Sequence, residues 1–209
     1  MIIDFDTISP GARYHAMTQA IIPRPIAWVL TAHENGSLNL APFSYFTAVS
    51  SDPPLLMISA GSKSDGSPKD TRANIAARDH FVVHIPHRGA LEAMNNSSAE
   101  VPAGISEVDA LGLETIEFEG FPLRRLRQTR VALGCTRYAI HELGPKKQAL
   151  ILGQVQRMWV DDDAVTQDET GRVSIQAAGL DPVARLGASQ YVGFGEIIEL
   201  SRPKGLPEP

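Results

Sequence analysis

Residues 26–40 read IAWVLTAHENGSLNL, and the fold is legible from this stretch outward. Residues 26–32 form a short apolar run that suits a strand, and HENGS separates it from Leu38, Asn39 and Leu40. Asn35-Gly36 is the dipeptide that supplies the positive φ angles of a two-residue hairpin turn. The strand ending near Thr31 should therefore fold back on itself, which is an antiparallel signal.

Runs of the same kind recur at residues 55–59, 81–85, 131–140 and 149–160, each bounded by Gly, Pro, Asn or Asp. Few helices interrupt them. Asp70 or Thr71 can cap one that runs through Arg78, and residues 90–94 begin another. Long strands, hairpin chemistry and few helices argue for a closed or nearly closed antiparallel barrel, since closure removes exposed edges. An α+β layer fold is the competitor. A doubly wound dinucleotide domain is excluded by the missing strand–helix alternation and the missing GxGxxG.

The chain has 209 residues, 43% hydrophobic and 21% charged, with 17 Gly and 15 Pro, which is a turn-rich globular composition. No repeat divides it, so it is expected to be one domain over 1–209, with a core of about 10–195 and an extended C-terminal tail. A balance of 19 Lys+Arg against 24 Asp+Glu gives a net charge of −5, with no basic run dense enough for a phosphate backbone. Nucleic acid is not expected as a partner. Nor is a membrane, because no stretch is apolar over about 20 residues. The acidic start MIIDFDTISPG is unlike a signal peptide, and the lone Cys135 permits no internal disulfide, so a cytoplasmic location is expected.

Three segments have chemical potential. SAGSKSDGSPKDTRANI, residues 59–75, sets hydroxyls, Lys63 and Lys69 before a helix start, an arrangement that suits an anion such as a phosphate. A capped surface loop is the plain alternative, and the stretch is not a P-loop, because Ser67 stands where Lys is required. PRPIAWV and NLAPFSYFTAVSSDPP, residues 23–29 and 39–54, offer a stiff polar rim of Asn39, Ser44 and Thr47 over an apolar wall. Such a rim suits a flat heteroaromatic ligand, although Phe43, Tyr45 and Phe46 could equally fill a core. RLGASQYVGFGE, residues 185–196, either closes a site or is a glycine-bent strand. His80 and His84 are about 13 Å apart along a strand, too far to share an ion, and no metal site is assigned. Cys135 reads as a small buried hydrophobe, and no acid, base or nucleophile stands out as catalytic.

Taken in order, PRPIAWVLT, NLAPFSYF, SSDPPLLMIS, KDTRANI with FVVHI, ALILGQV and RLGASQY resemble the flavin reductase-like FMN-binding split-barrel family, over roughly residues 10–195. The family includes flavoredoxin and the reductase components of two-component monooxygenases. The resemblance implies a mainly β fold, a six-stranded antiparallel Greek-key split barrel with a few peripheral helices. It further implies a homodimer with FMN near the subunit interface. Carried over by position, Asn39, Ala41, Pro42 and Ser44 resemble the segment lining the flavin ring. Ser59, Lys69, Asp70, Thr71 and Asn74 resemble the segment around the ribityl phosphate. Arg24 is placed near the flavin, with Arg185 and Tyr191 closing the site. The chain departs from the family pattern in two places. His80-Phe81-Val82-Val83-His84 stands where an acidic residue, Phe, Val, Val and Asn are common, and Gly134 stands where a Glu commonly precedes the mid-strand Cys. These departures put substrate access and the nicotinamide side in question.

The implied activity is passage of hydride from NADH or NADPH to flavin, and onward to a free flavin, a partner oxygenase or another acceptor. The alternatives are a flavoredoxin-like electron carrier without efficient NAD(P)H oxidation, and a barrel that has lost its flavin.

Overall fold

The computed structural model describes residues 1–102, 104–203 and 205, so the tail expected beyond residue 203 lies, apart from residue 205, outside the described residues. The main elements are α1 (Pro10–Ala20), β1 (Ala27–Ala32), β2 (Leu38–Phe43), β3 (Phe46–Ser51), β4 (Pro54–Ala60), α2 (Asp70–Arg78), β5 (His80–His84), α3 (Leu91–Asn96), α4 (Glu107–Ala110), β6 (Val131–Leu143) and β7 (Gln148–Val160). Seven strands pair antiparallel in the order β2-β1-β5-β6-β7-β4-β3. The class is the expected mainly β one, with one strand more than six. The extra strand comes from a bend. β2 and β3 are separated only by Ser44 and Tyr45, and they form the two ends of the sheet. One run of chain thus pairs with β1 in its first half and with β4 in its second, and the Ser59 N–H donates to the Tyr45 carbonyl at 2.8 Å across the corner. Counted as one bent strand, residues 38–51 close a six-stranded barrel.

Side-chain alternation sorts the core into two bodies. Ala27, Val29, Phe43, Ile58, Phe81, Val83, Cys135 and Ile151 come from strands all round the ring and fill the barrel. Trp28, Leu30, Leu40, Val82 and Ala132 point the other way and pack under Met94, Val108, Phe118 and Leu126. β1 is therefore buried on both faces, which is why it reads as an unbroken apolar run. Burial pushes the Cys135 thiol up, leaving it a packing group.

The local signals need three corrections. The β1–β2 loop has three residues, since the His33 N–H donates to Ser37 O at 2.8 Å and the Gly36 N–H to His33 O at 3.1 Å. Within that loop only Gly36 has positive φ, 83°; a three-residue hairpin needs the left-handed conformation at its last position alone. α2 is N-capped by Lys69, with no side chain bonded to its first turn, in place of the expected Asp70 or Thr71 cap. The helix expected from residue 90 is α3, which starts one residue later at Leu91 after a 3₁₀ turn at Arg88–Ala90. α1 had no sequence expectation because it has no apolar stripe, with only Thr18 buried; its one signal is the Ser9 cap followed by Pro10. Among the described residues no helix is long and apolar enough to cross a membrane.

His84 is completely buried, and both its ring nitrogens are used. Nδ1 lies 3.1 Å from the Trp28 carbonyl, and the Leu126 N–H donates to Nε2 at 3.0 Å. That pairing fixes a neutral ring with its proton on Nδ1. Burial lowers its pKa from 6.5 to about 3. A depressed folded pKa contributes stability above pH 6.5, and that contribution is lost as pH falls toward about 3, because the unfolded chain takes up the proton first. His84→Asn retains a donor for the Trp28 carbonyl and does not titrate. Urea unfolding at pH 7.5 and pH 5.5 should show a smaller acid loss in His84→Asn than in the wild type; equal losses would remove His84 as the cause.

Candidate functional site

The outward edge of β2 is blunted. The Leu40 N–H is taken by Glu107 Oε2 at 2.9 Å, and Pro42 has no N–H to offer. Two adjoining clefts open along this edge, and Ser98 lines both.

The first cleft lies between β2 and the start of α2. Asn39, Ala41, Lys63, Lys69, Asp70 and Thr71 line it, faced by residues 97–101 and Glu107. A buried polar network fixes the approach of α2 to the hairpin. Asn39 Nδ2 donates to Thr31 Oγ1 at 3.1 Å and Thr71 Oγ1 at 3.0 Å, and Asn74 Nδ2 donates to Thr31 Oγ1 at 3.0 Å. Thr31, Asn39, Thr71 and Asn74 are all buried, where unpaired polar groups would be costly. The first turn of α2, which has no side-chain cap, is therefore held at the cleft, where Lys69, Asp70 and Thr71 line it. Lys63 pairs with Asp70 at 2.7 Å, and the Lys69 ammonium sits 5.9 Å from the centre of the Phe43 ring. The uncapped first turn of α2 and the Lys69 ammonium are the donors this cleft can offer an anion, beside the carboxylates of Asp70, Glu100 and Glu107.

The second cleft takes Pro42 and Ser44 from the strand edge, Arg24, Arg185 and Tyr191, and Tyr14, His15 and Thr18 from α1. Arg24 is buried and forms no ion pair among the described residues; its guanidinium donates to the carbonyls of Thr18, Ile21 (2.8 Å) and Leu186 (2.8 Å). It thereby ties the C-terminal end of α1 to the segment after the Ala184–Arg185 strand, which pairs with Arg24–Pro25. Arg185 lies over the Tyr191 ring at 4.4 Å and donates to the Tyr191 hydroxyl and the Ala188 carbonyl. The Tyr191 hydroxyl in turn donates to Asn95 Oδ1 at 2.8 Å.

Ten of the twelve residues carried over from the resemblance thus line one cleft or the other. The remaining two stand apart. Ser59 is on β4, where its hydroxyl accepts from Gln148 Nε2 at 2.9 Å, and Asn74 lies behind the cleft in the polar network. Tyr14, His15, Thr18, Ser98 and Glu107 belong to the clefts and were missed. For Glu107 a signal existed: Ser106 caps α4 by accepting the Asp109 N–H at 3.1 Å, and S-x-x-D just before a helix is a capping pattern.

Comparison with known proteins agrees with this fold. Residues 18–174 match the family model described as flavin reductase like domain. An uncharacterised protein of Halalkalibacterium halodurans is 36% identical over 207 residues, 97% of each chain. Nitrilotriacetate monooxygenase component B from Bacillus cereus superposes with a TM-score of 0.87 at 33% identity, covering 96% of this chain and 98% of that one. The 2-nitrobenzoate 2-nitroreductase of Pseudomonas fluorescens superposes at 0.86 with 26% identity, covering 100% and 99%.

Glu107 is the buried carboxylate of the first cleft, which Asp70 and Glu100 also line. Burial pushes its pKa above the usual 4.5, so folding favours the protonated acid. The ionised form therefore costs stability as pH rises past that value. Glu107→Gln keeps an acceptor for the Leu40 N–H without the charge. Its thermal midpoint should exceed the wild type's at pH 7.5, with the gain shrinking toward pH 4; a gain independent of pH would show that charge is not the cause.

Proposed function

The chain belongs to the flavin reductase-like domain family, and from that premise we propose an FMN-dependent oxidoreductase of the flavin reductase type. Its donor is NADH or NADPH, and its acceptor is a free flavin, a partner monooxygenase or another oxidant. The observation that carries this reading is the uncapped N-terminus of α2, held beside Lys63 and Lys69 along the blunted outer edge of β2. An anion cradle next to the apolar and polar groups of Ala41, Pro42 and Ser44 has the donor set that a flavin with one phosphate requires. Bound flavin would supply the acceptance and release of reducing equivalents.

In this reading the chain's own work is binding and orientation. The first-turn N–H groups of α2 and the Lys69 ammonium hold the phosphate. Asn39 and Thr71 keep the helix at a fixed distance from the strand edge. The stiff Pro42 backbone presents a flat edge to the ring. No side chain is assigned as acid, base or nucleophile. The likeness to a monooxygenase component over nearly the whole of both chains supports delivery to a partner oxygenase. A homodimer, a cytoplasmic location and a single domain over 1–209 are part of the same proposal; exposed Val49, Tyr138, Leu143 and Met158 on the strands favour a second copy of the chain.

An absorbance spectrum of the purified protein, followed by anaerobic NADH and then NADPH, tests the activity. Flavin bands that bleach rapidly with either nucleotide are expected and identify the donor. Bands that persist until dithionite is added would replace the reductase with a flavoredoxin-like carrier. Lys69→Ala should weaken FMN binding by roughly 10- to 100-fold, the worth of one charge-assisted hydrogen bond. It should leave the bleaching rate at saturating FMN within about twofold, since the residue holds the phosphate and not the reacting ring. Loss of rate with unchanged affinity would contradict the assignment.

A further inference from the structure

A third cleft, of about 500 Å³, lies where residues 117–120 face the C-terminal end of β7, and it shares no lining residue with the two clefts of the β2 edge. Phe118 and Trp159 are part of its wall, and its charged groups are Glu117, Glu119, Arg125 and Arg157. Two cations and two carboxylates give a lining with no net charge. None of the four is in an ion pair among the described residues.

Arg125 is the least satisfied of them. It is only 8% exposed, and its one hydrogen bond among the described residues runs to the Leu126 carbonyl at 3.4 Å, longer than an ordinary N–H···O bond. A guanidinium carries five N–H donors. The Trp159 ring lies under the Arg125 guanidinium at 3.4 Å and fixes the plane of the fork, so the unused donors are held ready at the cleft. Arg127, two residues on, is spent on Glu114 at 2.7 Å, and the charge of Asp161 acts on Arg125 from beyond ion-pair distance. A cation withdrawn from water without a counter-charge is costly, and a carboxylate on the fork would remove that cost.

The rest of the lining selects what that carboxylate is attached to. Glu117 and Glu119 are exposed, so they repel a phosphate or a second carboxylate and favour an ammonium group. Phe118 and Trp159 offer apolar surface to a side chain. The volume falls within the roughly 300–1,000 Å³ of small-molecule sites. We propose that this cleft binds a small zwitterion of the amino-acid class, with its carboxylate on Arg125 and its ammonium toward Glu117 and Glu119. The proposal does not depend on the flavin.

Calorimetric titration with leucine, with leucinamide, which lacks the carboxylate, and with isocaproate, which lacks the ammonium, tests the site. Leucine should bind the wild type about tenfold or more tightly than leucinamide, the worth of a charge-assisted hydrogen bond, and more tightly than isocaproate. Arg125→Met should weaken leucine and isocaproate alike, with little effect on leucinamide. Replacing both exposed carboxylates, Glu117→Gln with Glu119→Gln, should weaken leucine and leave isocaproate as tight or tighter. If Arg125→Met does not fold, the order of the three probes and the double variant decide. No heat with leucine at millimolar concentration, equal affinity for the three probes, or full leucine affinity in the double variant would overturn the proposal. So would displacement of leucine by NADH or FMN in strict competition, because the cleft would then belong to the redox site. Leucine binding by a protein that takes up no FMN would uphold this inference while removing the flavin reading.

Discussion

A single run of chain, residues 38–51, supplies both ends of the sheet, and the bend between its halves at Ser44 and Tyr45 determines where everything else can sit. Strands so divided between two partners leave a seam, and a seam exposes backbone groups. Here the seam is blunted from two directions. Glu107 reaches in from α4 to take the Leu40 N–H, and Pro42 removes the next donor on the same edge. The barrel can therefore stay split without offering a free edge to another strand. Both clefts open along this same seam.

What makes the seam a binding place is the rigidity of its walls. Thr31 accepts from Asn39 and Asn74, Thr71 accepts from Asn39, and all four side chains are out of water. Such a network is stable only while each member keeps its partners, so it holds α2 in one position relative to the hairpin. On the other side, the Arg24 guanidinium gathers three carbonyls from α1 and the segment after Arg185. A small barrel thus obtains two fixed walls from polar groups, without enlarging its apolar core.

The barrel was legible because its signals are local. β-branched runs, the Asn35-Gly36 turn and the alternation that buries β1 on both faces all lie within a few residues of one another. The bend at Ser44 was not, because Phe43, Tyr45 and Phe46 read as one aromatic stretch and the partner that Tyr45 meets is Ser59 on another strand. The first cleft was partly legible for the same reason: Lys69 and Thr71 sit at a helix start, whereas Glu107 and Ser98 arrive from elsewhere in the chain. α1 escaped because its contribution to the site is polar and its contribution to the core is a single residue. Arg24 stands out in the sequence between Pro23 and Pro25, but its role depends on the carbonyl of Leu186, 162 residues away, as well as on near ones.

The departures at His80, His84 and Gly134 bear on packing and leave both clefts untouched. A Cβ at position 134 would stand 2.9 Å from the Phe121 ring and 3.1 Å from Phe118, so a glutamate there would displace both. His80 meets the same Phe121 edge-on at 5.7 Å. His84 holds the Leu126 N–H a few residues further along. All three positions therefore grip the excursion between α4 and β6 from the outer face of the barrel, and none of them lines either cleft. The aromatic pair Phe118 and Phe121 fills the space that a side chain at position 134 would need, and His80 packs against the same Phe121 ring.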